Sequence, residues 1–171
     1  MTQDWAPRAA TPLAHIGLMA DAYSRGSRDA LWSAMDDMAR PVLGQQLLTV
    51  HQFDAPNMRL TRLYSSNQTA YPPGGSKSKA GMPWGEHVLI ARRIFVGEGP
   101  AAIAQAFDDH DAIAALGLRS VINVPVVVRE TCLGTVNFLM TRDVVSQDDV
   151  AFAQMLALLA VPAFTGAVSP T

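Results

Sequence analysis

At 171 residues the chain can bury a single core without disulfides or a structural metal, and 49% hydrophobic against 16% charged residues excludes a disordered chain. A net charge of −2 gives no basic field for nucleic acid. The one cysteine, Cys132, excludes an intramolecular disulfide and any zinc site built from several cysteines of one chain.

The N-terminal stretch MTQDWAPRAATPLAH lacks a basic region followed by an apolar core, so no secretory signal is expected. No window approaches the ~18 consecutive apolar residues of a membrane span, and a cytoplasmic location is expected. Residues 1–11 read as a tail, 12–164 as one domain and 165–171 as a second tail.

From Pro12 the spacing of Leu13, Ile16, Leu18, Met19 and Tyr23 predicts a helix, interrupted at Ser24-Arg25-Gly26. Ser27 can cap a second helix with Ala30, Leu31, Ala34, Met35 and Met38 on its apolar stripe, ending before Pro41. Residues 47–53 and 58–64 read as strands joined by the turn Asp54-Ala55-Pro56-Asn57. Residues 65–81, SSNQTAYPPGGSKSKAG, show no periodicity and hold both lysines of the chain, Lys77 and Lys79. Loops of that length tend to be lids, binding loops or disordered, so this one reads either as a basic cover for an anionic ligand or as a solvated excursion.

Residues 84–93 predict a short helix, 94–96 a short edge strand and 97–100 a turn. Pro100 can open a helix that runs through Phe107, and residues 111–116 predict a helical turn stopped by Gly117. Residues 120–128 and 133–140 are dense β-runs joined by Arg129-Glu130-Thr131, an antiparallel hairpin. Ser146 with Asp149 resembles a capping box for a very apolar helix from Gln147 to about Val161, which must be buried on the sheet, on the first helix or across a subunit interface. Neighbouring antiparallel strands with helices at both ends give the class α+β.

Alternation separates the hairpin into two faces. Ile122, Val124, Val126 and Val128 fall on one side of the first strand, with Val121, Asn123, Pro125 and Val127 opposite. On the return strand Gly134, Val136, Phe138 and Met140 oppose Leu133, Thr135, Asn137 and Leu139. One face is apolar; the other is the floor of a polar-spotted cavity or a solvated surface.

No GxSxG elbow, phosphate-binding glycine loop, dinucleotide fingerprint or HExxH occurs. Asp108-Asp109-His110-Asp111 invites a metal, but consecutive positions point in different directions, and a solvated helix end explains them better. No metal site is expected. Cys132 reads as a small apolar filler, and His15 and His51 as structural, while His87 is the histidine placed beside the long loop. A small-molecule pocket fits better than a catalytic centre. Asn123, Thr135 and Asn137 offer donors and acceptors that do not ionise, suited to orienting a ligand, with Tyr64, Tyr71, Lys77, Trp84 and His87 as walls and lid.

Leu116-Gly117-Leu118-Arg119-Ser120 leading into Val121-Ile122-Asn123-Val124-Pro125-Val126, then Leu133-Gly134-Thr135-Val136-Asn137-Phe138 and an apolar helix, resembles a GAF domain, a sensory module whose architecture PAS domains share. The resemblance extends loosely from Leu13 to Phe164. It implies an antiparallel sheet of five or six strands in the order 2-1-5-4-3, with the terminal helices on one face and a ligand cavity on the other under middle helices and loops. It turns the polar hairpin face into a cavity floor with the lysine loop as its cover. It further implies a small-molecule ligand, unassigned as to identity or cofactor, and a homodimer through the terminal helices or a separate output protein. The Cys-His setting that holds tetrapyrroles, the several cysteines of the methionine sulfoxide reductase branch and a convincing phosphodiesterase-type cyclic-nucleotide motif are not found. Two other functions compete: a dimerisation module without ligand, and an enzyme using His87 or residues 108–111.

Overall fold

A computed structural model describes residues 15–166. The expected tail over 1–11, the first residues of the first helix and the end of the second tail lie outside them. The described chain builds an antiparallel six-stranded sheet with helices on both sides.

Helices α1 (Ile16–Arg25) and α2 (Arg28–Leu43) come first. Ser27 caps α2, its side chain accepting from the Ala30 amide at 3.3 Å. The helix runs two residues past Pro41. A proline there forfeits only one amide bond in the last turn, and the helix stops at Gly44.

Strands β1 (Gln45–Asp54) and β2 (Arg59–Ser65) form the first hairpin. The segment expected to be structureless contains a third strand, β3 (Ser76–Ser78), paired with β2. Its three residues, Ser76, Lys77 and Ser78, are all exposed and carry no alternation that a sequence reading could detect. In place of one helix over 84–93 the chain makes a short α3 (Pro83–Gly85) that passes into a π-helical turn, Glu86–Ile90. Strand β4 (Phe95–Glu98), helices α4 (Gly99–Ala106) and α5 (His110–Ala115), the hairpin β5 (Ser120–Val128) with β6 (Thr131–Met140), and α6 (Gln147–Phe164) complete the fold. Ser146 and Asp149 form the expected capping box at the start of α6.

The strand order is β3-β2-β1-β6-β5-β4. With the short β3 set aside, the remaining strands follow the 2-1-5-4-3 order implied by the resemblance. One face of the sheet packs under α1, α2 and α6. Its strand residues are Leu48, Val50, Ile122, Val124, Val126, Val136, Phe138 and Met140, and they meet Trp32, Met35, Met38 and Leu156 from the helices. Gly134 lies where β1 and α6 close on β6: a Cβ there would stand 2.0 Å from the His51 carbonyl oxygen and 2.5 Å from the Phe164 ring. The motif glycine is therefore required by close approach of two neighbours.

Candidate functional site

The opposite face of the sheet is polar at its centre and is covered by β3, α3, α4 and α5. Residues directly opposed across the ladder share a face, so register assembles the floor: Leu47 beside Leu139, Thr49 beside Asn137, His51 beside Arg62, Asn123 beside Asn137, and Val121 beside Leu139. Lys77, opposite Leu60, joins from β3. Together with Tyr71, Lys79, Trp84, Phe107, Asp109 and Ile113 these residues line a cavity of about 80 Å³.

A hydrogen-bonded chain runs across three strands of this floor. Trp84 Nε1 donates to Asn123 Oδ1 at 2.9 Å, and Asn123 Nδ2 donates to Asn137 Oδ1 at 2.8 Å. Asn137 Nδ2 then faces His51 Nδ1 at 2.8 Å, Thr135 Oγ1 at 3.1 Å and Thr49 Oγ1 at 3.2 Å. Asn123, Asn137, Thr49 and Thr135 are all buried, and these bonds satisfy their polar atoms.

Positive charge gathers at the β2–β3 side. Lys77 pairs with Asp109 at 3.2 Å, closing β3 onto the start of α5. Burial would raise the Asp109 pKa, but Lys77, bonded to it, and then Lys79 bring it below the ordinary value. Lys79 is only 7% exposed, and its ammonium lies 5.2 Å from the centre of the Trp84 ring. Among the described residues no carboxylate reaches ion-pair distance of it. Burial, and then the neighbouring Lys77, lowers its pKa. Gly85 permits this approach, since a Cβ there would meet the Lys79 carbonyl oxygen at 2.7 Å.

Arg62 donates to the Pro72 carbonyl at 2.9 Å and stacks on Tyr71 at 5.0 Å, while its Nε is buried without a partner. Burial, reinforced by Asp109, pushes the Tyr71 hydroxyl up to about 12. His51 is driven the other way, down to about 3, by burial first and then by Arg62, Lys79 and Lys77. It stays neutral throughout the physiological range.

Of the residues singled out in the sequence, Tyr71, Lys77, Trp84, Asn123 and Asn137 line the cavity. Thr135 is buried beneath Asn137, outside the lining, as its partner. Tyr64 and His87 are placed elsewhere. A bulge between Val50 and His51 shifts the β1–β2 register, so that Tyr64 pairs with Val50 and packs against the helix-side core. One inserted residue turns every later side chain to the other face. His87 bonds the Ile94 carbonyl through Nε2 at 3.1 Å and meets Phe95 edge-on, outside the lining.

Thr49, His51, Arg62, Lys79 and Asp109 are the polar lining residues that the sequence reading left out of its site. Asp109, taken for part of a solvated helix end, faces the cavity through its bond to Lys77. Only the β1–β2 alternation held a signal, since Thr49 and His51 fall on one side of their strand. Cys132 packs among Phe53, Leu60, Trp84, Val88 and Leu89, and burial raises its thiol pKa. That is the environment of a filler.

The family model of the GAF domain matches residues 33–163. The chain belongs to the GAF family. Members commonly bind small-molecule ligands in signalling proteins. The GAF fold is shared with the GAF domain of a phosphoenolpyruvate-protein phosphotransferase from Coxiella burnetii, at 11% identity and TM-score 0.69, covering 92% of this chain and 99% of that one. A phycoerythrobilin-bound GAF domain from a cyanobacterial phytochrome matches at 13% identity and TM-score 0.69, covering 93% and 97%. Residues 122 to 287 of a methyl-accepting chemotaxis protein match at 18% identity and TM-score 0.68, covering 88% and 96%. Comparison with curated proteins gives no match. Among the described residues no helix is long and apolar enough to cross a membrane.

Proposed function

We propose that this GAF domain is a sensory or regulatory module that binds a small molecule in the cavity between the sheet and the β3–α3 and α4–α5 segments. The observation that carries the reading is Lys79: an ammonium buried beside a cavity, with no carboxylate partner among the described residues. Burying a charge is costly unless something compensates it, and beyond the Trp84 ring and the more distant Asp108 and Asp109 carboxylates a ligand anion would complete the compensation. Trp84, Asn123 and Asn137 form a pre-set floor, and Tyr71 and Lys77 its rim.

The signal leaves through the terminal helices, by a homodimer or a separate output protein in the cytoplasm. Leu158 on α6 is 65% exposed, and Ile16 and Leu18 on α1 are exposed as well. Those side chains are better targets for an interface test than Met155 or Leu159, which are half-buried on the core side.

Thermal shift against a broad set of small metabolites tests the reading. A ligand that binds only the native state at a hundred times its Kd stabilises by about 2.7 kcal/mol, which moves the melting temperature by several degrees. No stabilising molecule in the set would leave a dimerisation module without ligand as the better account. The modest size of the cavity is the observation on that side.

A further inference from the structure

The sensory reading leaves the ligand's chemistry open, and the polarity of the floor narrows it. An indole N–H can only donate, so the Trp84 bond holds Asn123 with its oxygen toward the indole. The Asn123 amide must then donate to the Asn137 oxygen, which leaves the Asn137 amide nitrogen facing His51 Nδ1. His51 therefore accepts at Nδ1 and, being neutral, carries its one proton on Nε2. Nε2–H has no protein partner among the described residues, and His51 lines the cavity.

The uncommitted polar groups facing this space are three donors, His51 Nε2–H, Arg62 Nε–H and the Lys79 ammonium, and the Tyr71 hydroxyl, which can donate or accept. The side-chain amide and carboxylate groups there each hold a partner already. Asn123 Oδ1 takes the indole, Asn137 Oδ1 takes Asn123, and the Asp109 carboxylate takes Lys77. The far end of the cavity is apolar, walled by Leu47, Ile113, Val121 and Leu139. A space of about 80 Å³ has room for about five to eight water-sized groups.

Resting on the sensory role proposed above, we infer that the ligand is a small monocarboxylate with a short apolar tail. Its carboxylate is received by Lys79, His51 Nε2–H and Arg62, and its tail lies against Val121, Leu139 and Ile113. Lys77 contributes field and stays with Asp109, which closes the mouth.

Calorimetric titration of the full chain at matched ionic strength tests this with isobutyrate, its neutral isostere isobutyramide, and inorganic phosphate as an anion without a tail. Isobutyrate is expected to bind at least tenfold more tightly than either. Lys79→Met is expected to lower its affinity at least tenfold with the unliganded circular dichroism spectrum unchanged. Arg62→Gln, at a partly exposed position, serves as the second variant and should lower it severalfold. Binding of the amide or of phosphate as tight as that of the acid overturns the inference, as does isobutyrate affinity unmoved by both substitutions. If none of the three probes binds while another metabolite raises the melting temperature, the inference falls and the sensory reading stands. If no small molecule binds at all, both fall.

Discussion

The two faces of the sheet are made by the same strands and differ in almost every physical respect. On β5 and β6, Ile122, Val124, Val136, Phe138 and Met140 face three helices and are buried without one polar atom in their side chains. One residue away, Asn123 and Asn137 face a cavity, bonded to each other and to Trp84, His51 and Thr49. The helix face is held by burial, which is strong and non-directional. The cavity face is held by hydrogen bonds, whose net worth is small but whose disruption is expensive. One face supplies stability, and the other spends conformational freedom on fixed donor directions.

Truncation on the helix face should have the largest effect. Phe138→Ala removes a fully buried ring and should cost about 3–5 kcal/mol in urea denaturation, with the ligand preference of the remaining folded protein unchanged. A cost below about 1 kcal/mol would erase the contrast between the faces.

On the cavity face, Asn137→Ala leaves Asn123 Nδ2 and His51 Nδ1 without their partners, and should cost about 2–3 kcal/mol. Replacing Asn123 and Asn137 together by leucine should cost less than the sum of the two single leucine changes, because no half of the pair is left unsatisfied. Strict additivity in that double-mutant cycle would mean that the chain is not a unit.

The smallest effect is a pH dependence confined to the cavity face. His51 has a folded pKa of about 3, against an ordinary 6.5, so the unfolded chain binds its proton first as pH falls. Its contribution is complete above pH ~6.5 and is lost progressively toward pH ~3, the loss amounting to about 2 kcal/mol at pH 5. His51→Asn should flatten the slope between pH 6.5 and 5, a window above the range where Asp109 and Asp149, both with lowered pKa values, begin to matter. An unchanged slope would show that His51 titrates normally.

The legible parts of this molecule were those carried by local pattern. Alternation in 120–128 and 133–140 separated the apolar face from Asn123, Thr135 and Asn137, and Ser146 with Asp149 marked the start of α6. The motif over 116–138 supplied the fold. What escaped depended on partners distant in sequence. Strand β3 exists because β2 offers it an edge, not because Ser-Lys-Ser prefers a strand. The bulge after Val50 carries no marker of its own, and it moved Tyr64 to the wrong face for the expected wall. Asp109 and Lys77 lie 32 positions apart and meet only once β3 and α5 cover the floor. His51 read as structural because nothing near it in sequence reveals the indole that sets its tautomer through two asparagines.

The imidazole of His51 is where the account can be read most directly. In ¹⁵N-detected NMR of the free protein it should be neutral with its proton on Nε2, unchanged from pH 7.5 to 5, and its Nε2 signal should move on addition of isobutyrate while the Phe138 and Met140 signals of the helix face stay in place. A proton on Nδ1, a titration near pH 6.5, or an Nε2 signal indifferent to the carboxylate would contradict it.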